Sequence, residues 1–128
     1  MIGYTMLGTN SFEQAVAFYD ELFSVIGANR VMESEDYVVW ATDPSQPSFS
    51  ITKPFNGQPA TNGNGTMIAL SVDSPEKVDA VYAKALELGG ACEGPAGPRE
   101  ELAGFYAGYF RDLDGNKLNA FYYQAPAS

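Results

Sequence analysis

The segment Arg111–Gln124, RDLDGNKLNAFYYQ, gathers oxygen donors in a spacing that suggests a cation. Asp112, Asp114 and Asn116 alternate as the opening ligands of a calcium loop do. Such a loop also needs glycine at its sixth position and a bidentate glutamate at its twelfth. Counted from Asp112, Gly115 stands fourth and the twelfth residue is Tyr123. The pattern is therefore read as a hairpin turn, with Asp114-Gly115 joining two strands. Beyond the turn, Asn119 projects from one face of a short aromatic strand, Lys117–Tyr123.

Other chemistries are restricted by composition. The 128 residues contain no histidine, which removes Ser-His-Asp and Cys-His mechanisms and the commonest metal ligand. Cys92 is the only cysteine, so neither an internal disulfide nor a CxxC metal site exists. With no basic neighbour in sequence to activate it, Cys92 is expected to be a small buried hydrophobe. Sixteen acidic residues against 7 basic give a net charge of −9. Nucleic acid is an unsuitable partner for such a chain, because phosphate binding needs clustered Lys and Arg. No apolar run approaches the roughly 18 residues of a membrane span, and no signal peptide is visible. The expectation is a cytoplasmic protein with no membrane contact.

The elements that position these residues are legible from periodicity. MIGYTMLGT, at the start, reads as a strand. In the next segment Phe12, Ala15, Tyr19, Leu22, Phe23 and Ile26 form one apolar helical stripe. Asn10 with Glu13, or Ser11 with Gln14, would form a capping box, and Gly27 ends the helix. Strand candidates follow in ANRVME, YVVWAT and SFSITKPF. Asn56–Gly65 is a turn-rich linker. Then TMIALSV reads as a strand, and a helix follows with Ser74 as N-cap, Pro75 in its first turn and Gly89-Gly90 at its end. Further strands are expected at Ala91–Glu93, Tyr106–Arg111 and Lys117–Tyr123. The stretch GPAGPREELAG between the first two reads as an irregular loop, with Arg99, Glu100 and Glu101 in solvent and GPAGP as a mobile rim.

The chain repeats itself. An offset of 63 residues takes Leu7 to Leu70, Ser11 to Ser74, Glu13 to Glu76, Tyr19 to Tyr82, Gly27 to Gly90 and Ala28 to Ala91. Each half reads strand-helix-strand-strand-strand. One half alone is too small to cover both faces of its sheet, whereas two side by side can hold helices outside and a cleft inside. The expected architecture is α+β: two βαβββ modules forming a curved, mostly antiparallel mixed sheet with helices on the convex side. Module one covers residues 1–55, the linker 56–65 and module two 66–128, in a single domain.

Three stretches carry a family resemblance: IGYTMLGTNSFEQAVAFYDELFSVIGA, NGTMIALSVDSPEKVDAVYAKALELGGA and GFYAGYFRDLDGNKLNAFYY. They resemble the vicinal oxygen chelate superfamily, which includes glyoxalase I, bleomycin-resistance proteins, extradiol dioxygenases and fosfomycin-resistance enzymes. The resemblance implies paired βαβββ modules, in agreement with the repeat. In metal-using members the ligands stand on the concave face, usually His on the first strand of each module and Glu on the last. Carried to this chain, those positions are Tyr4 and Met67, related by the same offset, with Ser50 and Asn119. None is an imidazole or a carboxylate, and divalent transition metals want His, Asp, Glu or Cys. No metal and no cofactor is expected there.

A cleft without a metal is expected to hold something organic. Tyr4, Ser50, Met67 and Asn119 are candidate ligand contacts, with Trp40, Phe49 and Phe121 as aromatic lining. On the penultimate strand either Tyr106 with Phe110, or Tyr109, faces the cleft. Core packing is the ordinary alternative for each aromatic. The leading expectation is a metal-free binding protein of the glyoxalase/bleomycin-resistance type, sequestering a partly aromatic or cationic compound. The resemblance also implies a homodimer. The alternatives are a lyase, isomerase or dioxygenase of the same superfamily with an unconventional site, and an interaction module whose cleft is filled by its own side chains.

Overall fold

A computed structural model describes residues 1–126. Module one comprises β1 (Tyr4–Gly8), α1 (Phe12–Ser24), β2 (Asn29–Glu33), β3 (Tyr37–Ala41) and β4 (Ser48–Thr52). Module two comprises β5 (Ile68–Ser71), α2 (Pro75–Glu87), β6 (Ala91–Pro98), β7 (Phe105–Arg111) and β8 (Lys117–Tyr123). Each module builds a four-stranded mixed sheet, in the orders β1-β4-β3-β2 and β5-β8-β7-β6. The identical order in both halves is the structural form of the 63-residue repeat. In each, the first strand pairs parallel with the last, and the other pairs are antiparallel. No helix among the described residues is long and apolar enough to cross a membrane.

The helices form where periodicity places them, but only one is capped as expected. Ser74 Oγ accepts from Lys77 N at 3.1 Å, with Pro75 in the first turn of α2. At α1 the N-cap Ser11 makes no side-chain cap bond. Thr9 Oγ1 instead accepts from Ser11 N, and Asn10 is drawn away to Ala60. Gly27, at φ +73°, turns the chain out of α1, where a side chain at that φ would be strained.

Alternation of side chains along each strand divides the sheets into a helix-covered face and an open face. Under α1 lie Leu7 of β1, Val38 and Trp40 of β3, and Phe49 and Ile51 of β4, all buried. Tyr19, Phe23, Trp40 and Phe49 form an aromatic cluster, with Tyr19 and Phe49 centroids 4.8 Å apart. Full burial of a large apolar side chain is worth roughly 1.5–3 kcal/mol. Under α2 lie Phe110, Leu118 and Ala120. Gly108 lets β7 approach α2 closely, since a Cβ there would stand 3.1 Å from Tyr82 Cβ. The two helix-side cores merge into one cluster.

The acidic turn fastens the modules together. Asp112 is buried, and its carboxylate accepts from the Tyr19 hydroxyl at 2.6 Å, from Asp114 N and Asn116 N at 2.9 Å, and from Asn116 Nδ2 at 3.0 Å. Asn116 Nδ2 also donates to Gly8 O at the end of β1. Asp114 Oδ1 accepts from Asn10 N. Gly115, at φ +88°, completes the turn between β7 and β8. The donor-rich spacing that mimics a calcium loop thus serves an internal hydrogen-bond network.

Two expectations are corrected in β6. The segment GPAGP is strand: β6 runs to Pro98, with register shifts between Cys92 and Gly94 and between Gly94 and Gly97. Proline is tolerated in it because β6 is an edge strand broken by bulges. Cys92 is exposed rather than buried: it shares the α2-covered face with its register partner Phe110, but it lies on the outer edge strand of the sheet. Its Sγ accepts from Gly94 N at 3.3 Å.

Candidate functional site on the open sheet faces

The open face of module one carries Tyr4 and Met6 from β1, 67% and 50% exposed. Ser50 of β4 stands between Met6 and Val39 in register. It is fully buried, and its hydroxyl donates to Thr5 O on the neighbouring strand. That bond uses the one proton a serine can donate.

The open face of module two centres on Asn119. Its register partners are Tyr109 on β7 and Ala69 on β5. Asn119 is 2% exposed, and its Oδ1 has no hydrogen-bond partner. A buried acceptor left unpaired costs about 1–3 kcal/mol, so this atom is a place where a ligand donor or a water would be welcome. Along β8, Lys117 and Phe121 flank Asn119 on the same face. Phe121 stacks with Phe105 at 5.7 Å between centroids. Lys117 Nζ lies 5.6 Å from the Tyr109 ring centroid, and the Arg99 guanidinium 5.3 Å from it.

Of the candidate residues, Asn119, Tyr109, Phe121 and Met67 share the open side of module two, while Tyr4 and Ser50 share that of module one. The other three face elsewhere. Tyr106 points to α2, where its hydroxyl donates to Asp79 Oδ1 at 2.7 Å. The Asp79 bond, with some burial, raises the Tyr106 pKa above the usual phenol value. Trp40 and Phe49 belong to the aromatic cluster beneath α1, and Trp40 Nε1 donates to Asp20 Oδ1. Asp20 is held below the usual carboxylate range, chiefly by its bond to Arg30 and also by that indole. Trp40 and Phe49 reach only the wall of a cavity of about 640 Å³ between the start of β1 and β5, which Thr5, Met67 and Leu70 also line.

From sequence, Arg99 is set in a loop, with solvent favoured over a place at the mouth of the site. The bulged end of β6 holds it: Nη1 donates to Gly97 O at 2.9 Å and Nη2 to Pro95 O at 2.8 Å. Its guanidinium is thereby fixed against Tyr109 instead of extending into solvent.

The donor set does not suit a transition metal. Met67 offers a thioether, Asn119 an amide, Ser50 a hydroxyl already committed to the backbone, and Tyr4 an exposed phenol. Among the described residues no three His, Cys, Asp or Glu side chains converge on one point. What the module-two face offers is an amide, aromatic rings and cations, a surface fitted for a planar organic molecule with polar substituents.

Residues 1–120 match the model of the Glyoxalase/Bleomycin resistance protein/Dioxygenase superfamily. Among solved structures, a glyoxalase/bleomycin resistance protein from Albidiferax ferrireducens T118 is 37% identical, with a TM-score of 0.86 over 97% of this chain and 99% of that one. A hypothetical protein from S. aureus is 26% identical, with a TM-score of 0.71 over 93% of this chain and 91% of that one. A lactoylglutathione lyase from Agrobacterium tumefaciens shares the fold at 21% identity, with a TM-score of 0.69 over 95% and 92% of the respective chains. No curated protein sequence matches the chain.

Proposed function

This chain belongs to the Glyoxalase/Bleomycin resistance protein/Dioxygenase superfamily, and from the site it builds on that frame we propose that it is a metal-independent binding protein for a small, partly aromatic organic molecule. The observation that carries the reading is Asn119. It occupies the last-strand position where metal-using relatives usually place a carboxylate, yet it presents a neutral amide whose Oδ1 is buried without a partner. An amide binds a polar group by hydrogen bonding and brings no charge to hold a transition metal. Tyr109 and Phe121 beside it supply ring faces for stacking. The role is sequestration, exercised by a cytoplasmic homodimer.

A thermal-shift series with aromatic compounds, run with and without a chelator, tests this. The expected result is a ligand-dependent rise in melting temperature that survives chelation and is smaller in Asn119→Ala. Elemental analysis finding stoichiometric zinc, nickel, manganese or iron in the purified protein, lost on changing Asn119, would overturn it.

A further inference from the structure

The basic residues of this acidic protein are unevenly placed. Of its 7 lysines and arginines, Arg99, Arg111 and Lys117 lie at or beside the open face of module two. Arg111 and Lys117 also line a cleft of about 610 Å³, whose remaining wall is linker and the start of β5: Asn62, Gly63, Asn64, Gly65, Thr66 and Met67. No carboxylate lines it, in a chain with 16 acidic residues.

The two cations that line this cleft have one carboxylate partner between them. Arg111 Nε donates to Glu93 Oε1 at 2.7 Å, and Nη1 donates to Gly115 O. That pair neutralises one cation. Lys117 forms no ion pair among the described residues, and its ammonium rests against the Tyr109 ring. Glu93 also feels the charge of Lys117, so two cations share this one carboxylate, and the Lys117 ammonium stands two residues from Asn119 on the same face of β8. The glycine-rich linker closes the other side. Gly63 and Gly65 have φ of +71° and +93°, a region that glycine adopts freely for want of a Cβ, and they bring backbone without side chains to the rim. Asn62 packs against Gly115, where an added Cβ would meet Asn62 Nδ2 at 2.7 Å. The linker is thus seated on the Asp112–Asn116 turn.

We propose that the cleft between Lys117, Arg111 and the linker Asn62–Thr66 is an anion subsite, which takes the carboxylate or phosphate of a ligand whose apolar or aromatic body lies along Tyr109 and Asn119. The inference rests on the ligand site proposed above and adds its charge: the preferred ligand is an organic acid, not the cationic compound that overall acidity would suggest. The cations lining the cleft meet a bound anion directly, whereas charges beyond about 8–10 Å are screened at physiological salt. A charge-assisted contact is also roughly twice as strong as a neutral one.

The experiment uses the full-length protein labelled with nitrogen-15 and titrated with benzoate, benzamide, benzylamine and phenyl phosphate. The expected result is that benzoate moves the amide signals of Gly63, Gly65, Lys117 and Asn119, while benzamide and benzylamine bind at least about tenfold more weakly. Lys117→Gln should weaken benzoate by roughly tenfold and leave benzamide unchanged, and Lys117→Arg should restore benzoate binding. Tighter binding of phenyl phosphate than of benzoate would support the subsite and assign it to phosphate. Equal binding of benzoate and benzamide around Asn119 would overturn the anion subsite while leaving the ligand site intact. Benzoate shifts at Gly63, Gly65 and Lys117 without any at Asn119 would support the subsite and remove the proposed ligand site. Absence of shifts from benzoate and phenyl phosphate at millimolar concentration would overturn the subsite.

Discussion

The Tyr19 hydroxyl and Asp112 Oδ2 meet at 2.6 Å across 93 residues of sequence. Tyr19 is fully buried on α1 of module one, and Asp112 closes β7 of module two. The same carboxylate also holds the turn that seats β1 and the linker. One side-chain contact thus couples the helix core to the hairpin that presents Lys117 and Asn119. Tyr19→Phe is expected to destabilise the protein by about 1–3 kcal/mol, the usual cost of removing one partner from a buried charged group. Urea unfolding monitored by the single tryptophan, Trp40, measures it.

The same pair sets an alkaline limit. Burial, then the charge of Asp112, raises the Tyr19 pKa well above its ordinary value of 10.0. Above pH 10 the unfolded chain loses this phenolic proton while the folded chain keeps it, so the folded state binds more protons there. Stability from this group is fully present below pH 10 and falls as pH rises through the folded-state pKa. Tyr82 and Tyr106, also raised, act in the same direction. The slope of unfolding free energy against pH above 10 should therefore be shallower in Tyr19→Phe than in wild type.

Calcium should leave the melting temperature unchanged at millimolar concentration. The Asp112 carboxylate already accepts four hydrogen bonds, and a specific ligand for the folded state would raise the midpoint. A calcium-dependent rise abolished by Asp112→Asn would contradict the hydrogen-bonded role of the turn.

The repeat was legible because both modules keep the same helix positions, and Leu7/Leu70 and Gly27/Gly90 share one offset. Other features were hidden for identifiable reasons. YVVWA is apolar at every position, so strand alternation alone does not say which face α1 covers, and Trp40 was open to either assignment. FYAGYF poses the same problem, resolved by Gly108 against Tyr82 and by the Tyr106 bond to Asp79. The strand Ala91–Pro98 was obscured by its glycines and prolines, which only an edge strand with bulges accepts. Arg99 then appeared to lie in a solvated loop. Tyr19, the helix partner of Asp112, stands 93 residues away, and no local pattern reveals a contact of that kind.

The division between Tyr106 and Tyr109 gives a paired test of facing. Tyr106→Phe removes a bond to Asp79 on α2 and should not change aromatic-ligand affinity. Tyr109→Ala removes the ring that borders Asn119 and supports Lys117 and Arg99, and should weaken binding by about 0.5–1.5 kcal/mol. Isothermal titration with the same ligand on both variants decides the matter. The reverse ranking would place the ligand on the helix-covered side.

Asn119→Ala separates binding from stability. A residue buried to 2% exposure ordinarily contributes to folding, and truncating it leaves a small void. Here truncation also removes an acceptor that no other protein group pairs with, relieving a desolvation cost of about 1–3 kcal/mol. The two effects oppose one another, so the unfolding free energy should shift little. Ligand binding has no such compensation. Loss of one neutral hydrogen bond to the amide should weaken the complex by about 0.5–1.5 kcal/mol, or roughly two- to tenfold in Kd. Chemical denaturation and calorimetric titration of the same preparation measure both quantities. A large loss of stability with unchanged ligand affinity would make Asn119 a structural residue of the sheet rather than a ligand contact.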